Sequence, residues 1–197
     1  GGAVTAAGRV LALVVLVAGL AAAGPAAAQL DAFFGSYVGD GELNDLVSGE
    51  VEERDNLTSI APFGHGGFEV RWSSVVRVGG QRDVPGVRHV LRALAFEPAE
   101  DGDYYLRAPD YDPFRVRREV EPMAGDALAW ATVDGDTLGI YVFAVTGEGA
   151  GELQQHRRVL TETGMRLAYT GLVDGVIVTQ GSGRMVRVGD PVALDQP

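Results

Sequence analysis

The sequence of 197 residues contains no cysteine and no lysine. Without cysteine there is no disulfide, no lipid-modified amino-terminal cysteine, no thiolate nucleophile and no zinc site built on cysteine. The 16 basic residues are therefore all arginines, and 27 acidic residues outnumber them, which gives a formal net charge of −11. An acidic chain lacks the basic patch that nucleic-acid phosphates require, so no nucleic-acid partner is predicted.

Long hydrophobic runs are also missing, except near the amino terminus. There, residues 10–23 form an uninterrupted apolar run behind Arg9, Gly24 and Pro25 break it, and three alanines precede Gln29. This is the pattern of a secretory signal peptide that is cleaved after residue 28. The alternative, a membrane-spanning helix, needs about 20 apolar residues, which is more than this run supplies before its break.

The leader sets the expected domain organisation and compartment. We expect residues 1–28 to be a signal peptide and residues 29–197 to be a single domain. No later apolar segment is long enough to span a bilayer, so no membrane span is predicted for the mature form. A basic set made of arginine alone, with abundant alanine, glycine and valine, is typical of a GC-rich bacterium. The predicted location is thus the periplasm of a Gram-negative bacterium, or secretion from it.

After residue 33 the chain alternates between apolar and polar residues in the manner of half-buried strands. The clearest case is the stretch "GFEVRWSSVVRV", which places Phe68, Val70 and Trp72 on one face and Glu69 and Arg71 on the other. Later, "DALAWATVDGDTLGIYVFAV" predicts a hairpin that turns at an Asp-Gly pair. About ten such strands with turn signals between them, and no convincing helix, predict an all-β sandwich or barrel.

The stretch "FFGSYVGDGEL" favours the barrel. It places Gly35, Tyr37, Gly39 and Gly41 at alternate positions of one strand. Glycines on one face let a strand coil sharply or let a neighbouring backbone approach closely, as the first strand of a small closed barrel must do to pair with both the second and the last strand.

This glycine pattern resembles the first-strand motif of calycin-type barrels. Lipocalins carry Gly-x-Trp there, and nitrobindin-like proteins carry Gly-x-Trp-x-Gly-x-Gly; in this chain Tyr37 stands in place of the tryptophan. The resemblance implies an up-and-down antiparallel barrel of about ten strands that encloses a cavity for an apolar or amphipathic small molecule. The chain also resembles a group of exported proteobacterial proteins, and that resemblance implies no activity.

Candidate ligand-binding residues follow from strand alternation in such a barrel. Arg92 shares its face with Val90, Leu94 and Phe96, and an inward arginine would either pair with a carboxylate or hold an acidic ligand group. Aromatic side chains are expected to contribute most of the remaining wall. The candidates are Tyr37, Trp72, Arg92, Trp130, Tyr141 and Tyr169.

No motif predicts catalysis or a metal site. The three histidines are isolated in sequence, and the acidic clusters match no calcium-binding loop. Nitrobindin-like proteins bind haem through a histidine near the carboxyl terminus; His156 is the nearest match, but its position and its neighbours Arg157 and Arg158 differ from that pattern. Gly181-Ser182-Gly183 is expected to be a hairpin connection, because no helix follows to form a nucleophile elbow. No cofactor, metal or catalytic residue is therefore predicted.

Three functional hypotheses remain. The first is a periplasmic barrel that binds or carries a hydrophobic or amphipathic small molecule. The second is a non-catalytic envelope protein with a filled barrel that meets an unknown protein partner through its acidic surface or through the segment "YDPFRVRRE" at residues 111–119. This hypothesis predicts a filled interior and an exposed apolar patch. The third, a haem protein or enzyme, requires a polar cluster with perturbed pKa values inside the barrel mouth.

Overall fold

The computed structural model of the protein describes residues 29–102, 104–109 and 120–194. The predicted signal peptide and the segment 111–119 lie outside these residues. Among the helices of the described part, none combines the length and the apolar character that crossing a membrane requires.

The described residues form ten strands that close into one antiparallel barrel. Each strand pairs with the strands before and after it in the chain, and β1 pairs with β10 to close the barrel. The predicted all-β, up-and-down barrel of about ten strands is confirmed, and the sandwich alternative is not what forms. The strands are β1 (Gly35–Asp45), β2 (Val51–Phe63), β3 (Gly67–Val76), β4 (Arg88–Pro98), β5 (Tyr105–Arg107), β6 (Leu128–Asp134), β7 (Thr137–Val145), β8 (Gly151–Leu160), β9 (Gly164–Val173) and β10 (Val176–Gly189), with short 3-10 helices at Asp31–Phe33 and Pro122–Ala124.

The glycines of β1 allow this closure. A Cβ atom on Gly39 would lie 1.9 Å from the carbonyl oxygen of Arg184, and one on Gly41 would lie 2.4 Å from that of Ser182. Both oxygens belong to β10, so the first and last strands approach more closely here than side chains would permit. The alternate glycines therefore mark the seam of the barrel.

The stretch Gly181-Ser182-Gly183 is part of the same seam. We predicted a hairpin connection there, and this is wrong: the three residues lie within β10 and pair with residues 41–43 of β1. A Cβ on Gly183 would lie 2.7 Å from the carbonyl oxygen of Asp40. These glycines thus serve close backbone approach rather than a turn.

The apolar core occupies one end of the barrel, which we call the packed end. Leu30 and Phe33, just before β1, plug this end, and the Tyr37 hydroxyl donates a hydrogen bond of 2.8 Å to the carbonyl oxygen of Phe33. Inward residues of eight strands, β2 to β7, β9 and β10, complete the core. They are Ile60, Phe68, Val70, Phe96, Tyr105, Ala129, Ala131, Leu138, Ile140, Met165 and Met185.

Candidate functional site

The opposite end of the barrel contains a cavity of about 330 Å³. Its walls come from the inward faces of seven strands, β1 to β4 and β8 to β10. This volume lies at the lower end of the range usual for small-molecule sites, about 300–1,000 Å³. Larger depressions of about 530 and 490 Å³ are less suited to a ligand, since exposed charged residues and a turn form most of their walls.

One side of the cavity carries three aromatic rings in a row. The ring of His156 on β8 lies 4.9 Å from that of Tyr169 on β9 and 5.5 Å from that of Trp72 on β3, measured between centroids. His156 and Tyr169 are direct cross-strand partners, whereas Trp72 reaches them across the interior. The rings are tilted by 50° and 55° to their neighbours, and together they give the cavity an aromatic wall that apolar or aromatic groups can pack against.

The Arg158 guanidinium lies beside this aromatic wall. Arg158 is only 4% exposed, and on β8 it follows His156 on the same face, with Leu138 and Leu167 as its cross-strand partners. Its guanidinium carbon lies 5.4 Å from the centroid of the Trp72 ring, a cation–π distance. Since Leu138 belongs to the packed core, Arg158 marks the bottom of the cavity.

Burial changes the protonation behaviour of the two basic groups on β8. Desolvation, together with the smaller effects of the positive charges of Arg158 and Arg92, lowers the pKa of His156 to about 3. The imidazole is therefore neutral at physiological pH. Desolvation also lowers the pKa of Arg158 to about 10, so its guanidinium remains positively charged at neutral pH.

The mouth of the cavity carries charges that are paired. Glu52 accepts a hydrogen bond from Arg54 at 2.5 Å and also contacts Arg88. Burial by itself would raise the pKa of Glu52, but the two arginines outweigh it, and the net effect is a lowered pKa. Deeper in the cavity, the Ser74 hydroxyl donates a hydrogen bond of 2.7 Å to the Asn56 side-chain oxygen.

Three of the six predicted ligand-binding residues meet in this cavity. Trp72, Arg92 and Tyr169 all line it, and Trp72 and Arg92 are cross-strand partners on β3 and β4. Burial raises the pKa of the Tyr169 phenol, with a smaller contribution in the same direction from Glu152, so the hydroxyl is a neutral donor at physiological pH. Strand alternation placed these three side chains inside.

The other three predicted residues do not line the cavity. Tyr37 is fully buried in the packed end, where burial raises the pKa of its phenol. Trp130 and Tyr141 stack on each other at 5.2 Å between ring centroids. Both are on the outer face, because their neighbours Ala129, Ala131 and Ile140 occupy the inward positions. Small alanines fill the inward positions of β6, and the large rings lie outside.

Arg158 is the functional candidate that sequence reasoning missed. A usable signal was present in the pair Arg157-Arg158. Consecutive side chains of a strand point to opposite faces, so in a closed barrel one arginine of such a pair must point inward. His156, which entered only as the nearest match for a haem ligand, also lies on the inward face of β8.

The arrangement offers recognition chemistry rather than a clear catalytic group. Among the residues that the structure describes, no cluster of three or more His, Asp or Glu side chains could hold a metal ion. The cavity instead combines a buried cation, a neutral imidazole, a neutral phenol and apolar walls. A scan of protein-family models gives no match to this chain, and a search of curated proteins gives none either.

Proposed function

We propose that this protein is an exported, calycin-type barrel that binds one small apolar or amphipathic molecule in the cavity opposite its packed end. The observation that carries the proposal is the cavity itself. One end of the barrel is filled by large side chains, whereas the other retains about 330 Å³ between aromatic, aliphatic and polar walls. Binding sites of barrels are expected in such mouths.

The mixed wall favours an amphipathic ligand over a purely apolar one. Val90, Leu167 and the aromatic row provide apolar contact, whereas Asn56 and Arg92 provide polar groups. The small volume favours a molecule smaller than a tetrapyrrole, so a compact ligand is a better fit to this cavity than haem. The leader at residues 1–28 supports export, and a Gram-negative periplasm is the proposed compartment.

The chain contains two tryptophans that allow a direct test. In a Trp130→Phe variant, Trp72 on the cavity wall is the remaining tryptophan, and in a Trp72→Phe variant it is Trp130 on the outer face. We expect small amphipathic molecules to change the emission of Trp72 in a saturable manner and to leave that of Trp130 unchanged. Equal responses from both variants, or none from either, would contradict binding in the cavity.

A matched pair of substitutions then tests the position of the ligand. Val90→Phe places a larger side chain in the cavity, whereas Leu91→Phe changes the next residue of β4, which is not among those lining it. Binding measured by native mass spectrometry should be lost in the first variant and retained in the second. Retention in both would place the ligand elsewhere.

A protein-binding role is the second candidate, favoured by an apolar patch at the open end. We call this the rim patch; it joins the β1–β2 turn to the start of β10, which are linked by a hydrogen bond of 2.9 Å from the Leu46 amide to the Val178 carbonyl oxygen. Its exposed residues are Leu46, Val47, Val51, Val176 and Ile177. Exposed apolar groups of this kind are typical of interaction surfaces. A Val47→Asp variant should lose the binding of a protein partner at the rim patch, whereas the response of Trp72 emission to small molecules should be unchanged.

A further inference from the structure

Arg158 has no partner for its charge within the described residues. Two of its side-chain nitrogens, Nε and Nη1, are buried and make no hydrogen bond, and none of the ion pairs found there includes it. Its close contact is the Trp72 ring, which attracts the cation but accepts no strong hydrogen bond. Buried charges in proteins are as a rule paired, and an unpaired one is expensive to keep.

The charges around Arg158 favour an anion as its binding partner. Arg92 adds a second positive charge on the cavity wall, and the neutral His156 imidazole beside them carries none. Three carboxylates lie near the mouth: Glu52 is held by Arg54 and Arg88, Glu152 accepts a hydrogen bond of 3.0 Å from the Gln154 amide, and Glu42 is exposed. None of the three forms an ion pair with Arg158 among the described residues. An anionic group arriving at the bottom of the cavity would therefore meet uncompensated positive charge and free N–H donors.

The charge balance also indicates which kind of anion the site favours. At the bottom of the cavity Arg158 is buried, whereas Arg92 is exposed to solvent and does not require a counter-charge. One negative charge therefore neutralises the desolvated part of the site, and a dianion would leave a net negative charge in it. A carboxylate carries one charge and matches the planar guanidinium in size. Phosphate monoesters carry up to two negative charges.

We propose that the ligand is a carboxylate with a short apolar body, its head group bound to Arg158 at the bottom of the cavity and its body lying along the Trp72–His156–Tyr169 wall toward the mouth. This inference rests on the proposed function and adds the class and the orientation of the ligand. Trp72 has a double role in it, since the same ring stacks on the Arg158 guanidinium and forms the wall.

The test uses three molecules with one body and different head groups: octanoate, 1-octanol and octyl phosphate. They are titrated at pH 8 into the Trp130→Phe protein, with Trp72 emission as the readout and isothermal titration calorimetry as a check. We expect octanoate to bind roughly 10- to 100-fold more tightly than octanol, as suits a hydrogen bond to a charged group. Octyl phosphate should bind more weakly than octanoate.

The Arg158→Met variant supplies the decisive comparison. It should bind octanol about as well as the Trp130→Phe protein does, which shows that the cavity is intact, while the preference for octanoate over octanol falls to about onefold. Arg166→Met, at an exposed arginine of β9 that is not among the residues lining the cavity, should keep the preference. Since emission of Trp72 can change when its stacked cation is removed, calorimetry decides the affinities of the Arg158→Met protein.

The possible results separate this inference from the function on which it rests. Octanol and octanoate binding equally well to the Trp130→Phe protein would overturn the carboxylate site and leave the cavity as a binding site. Tighter binding of octyl phosphate than of octanoate would overturn the carboxylate in favour of a phosphate. A preference for octanoate that survives in Arg158→Met would assign the head group to another arginine. Binding of none of the three molecules would contradict both proposals.

Discussion

The two ends of this barrel share strands β1 to β4, β9 and β10 yet have opposite character. At the packed end, Phe68 and Phe96 face each other at 5.0 Å between ring centroids and Tyr105 meets Phe68 edge-on, all of them buried. A few residues further along the same strands, Trp72 and Arg92 face an open cavity. Inward-facing residues are thus selected for close packing at one end and for polar and aromatic contact at the other.

The two ends therefore contribute differently to the stability of the protein. The packed end buries large apolar side chains, which is the main source of folding free energy. The cavity end retains a buried cation without a carboxylate and an imidazole that burial keeps neutral. Groups that destabilise the empty fold in this way are expected at sites that await a ligand.

The largest expected effect is on the packed end. Phe68→Ala should lower the free energy of unfolding by about 3–5 kcal/mol, because it removes a fully buried ring and leaves a void among its neighbours. Tyr169→Ala, which removes an inward ring at the cavity end, should cost clearly less. Urea denaturation of both variants measures the difference, and equal losses would show that the two ends are packed alike.

Removal of the buried cation should act in the opposite direction. Arg158→Met replaces an unpaired charge with an apolar side chain of similar length, so the ligand-free protein should become more stable by about 1–4 kcal/mol. The exposed Arg157→Met variant should change the free energy of unfolding by less than about 0.5 kcal/mol. A destabilised Arg158→Met protein would mean that Arg158 has a structural partner.

Gly39 lies on β1 between Tyr37 at the packed end and Gly41 at the cavity. Gly39→Ala should destabilise the barrel by about 1–3 kcal/mol, because the added Cβ would lie 1.9 Å from a carbonyl oxygen of β10 and the strands would have to separate. Gly147→Ala is the control, since a Cβ there meets nothing within 4 Å. Thermal unfolding compares them, and equal effects would argue against the close approach at the seam.

The last prediction is a pH dependence that belongs to the cavity end and amounts to less than about 2 kcal/mol between pH 6.5 and 5. The pKa of His156 is about 3 in the folded protein against an ordinary value of 6.5, so between these pH values the unfolded chain binds the proton and the folded chain does not. The free energy of unfolding should therefore fall as the pH decreases through this window, by up to about 1.4 kcal/mol per pH unit.

Substitution separates this contribution from the others. Between pH 6.5 and 5, the dependence should be much flatter in His156→Gln and unchanged in His89→Gln, whose side chain is exposed. The lowered pKa of Glu52 acts with the same sign but only at more acidic pH, below its ordinary value of 4.5. An unchanged slope in His156→Gln would show that the imidazole is hydrated.

The fold was predictable from the sequence because its signals are local. The alternation in "GFEVRWSSVVRV" is recognised from residues that are two positions apart in the chain. It correctly placed Phe68, Val70 and Trp72 on one face of the strand. The alternate glycines of β1 likewise indicated the seam. For the candidate site, alternation was less informative. It assigns side chains to one of two faces, but it does not say which face is inward or at which end of the barrel a side chain lies.

Tyr37 and Trp130 show the two forms of this limit. Tyr37 points inward as expected, but it lies at the packed end rather than in the cavity. Both faces of β6 carry apolar residues around Trp130, so alternation alone does not show which face is inward. In the structure the small Ala129 and Ala131 take the inward positions. The register of β6 with β5 and β7 in the closed barrel decides which face points inward, and that register depends on the other strands.

The strands, their alternation and the glycine seam follow from the sequence, since each of these depends on the steric and hydrophobic preferences of residues close together in the chain. The contact between Arg158 of β8 and Trp72 of β3, more than eighty residues apart, arises in the folded barrel. Their meeting depends on the register of every pair of strands around the closed barrel, because a shift of one residue in any pair would turn one of them to the other face.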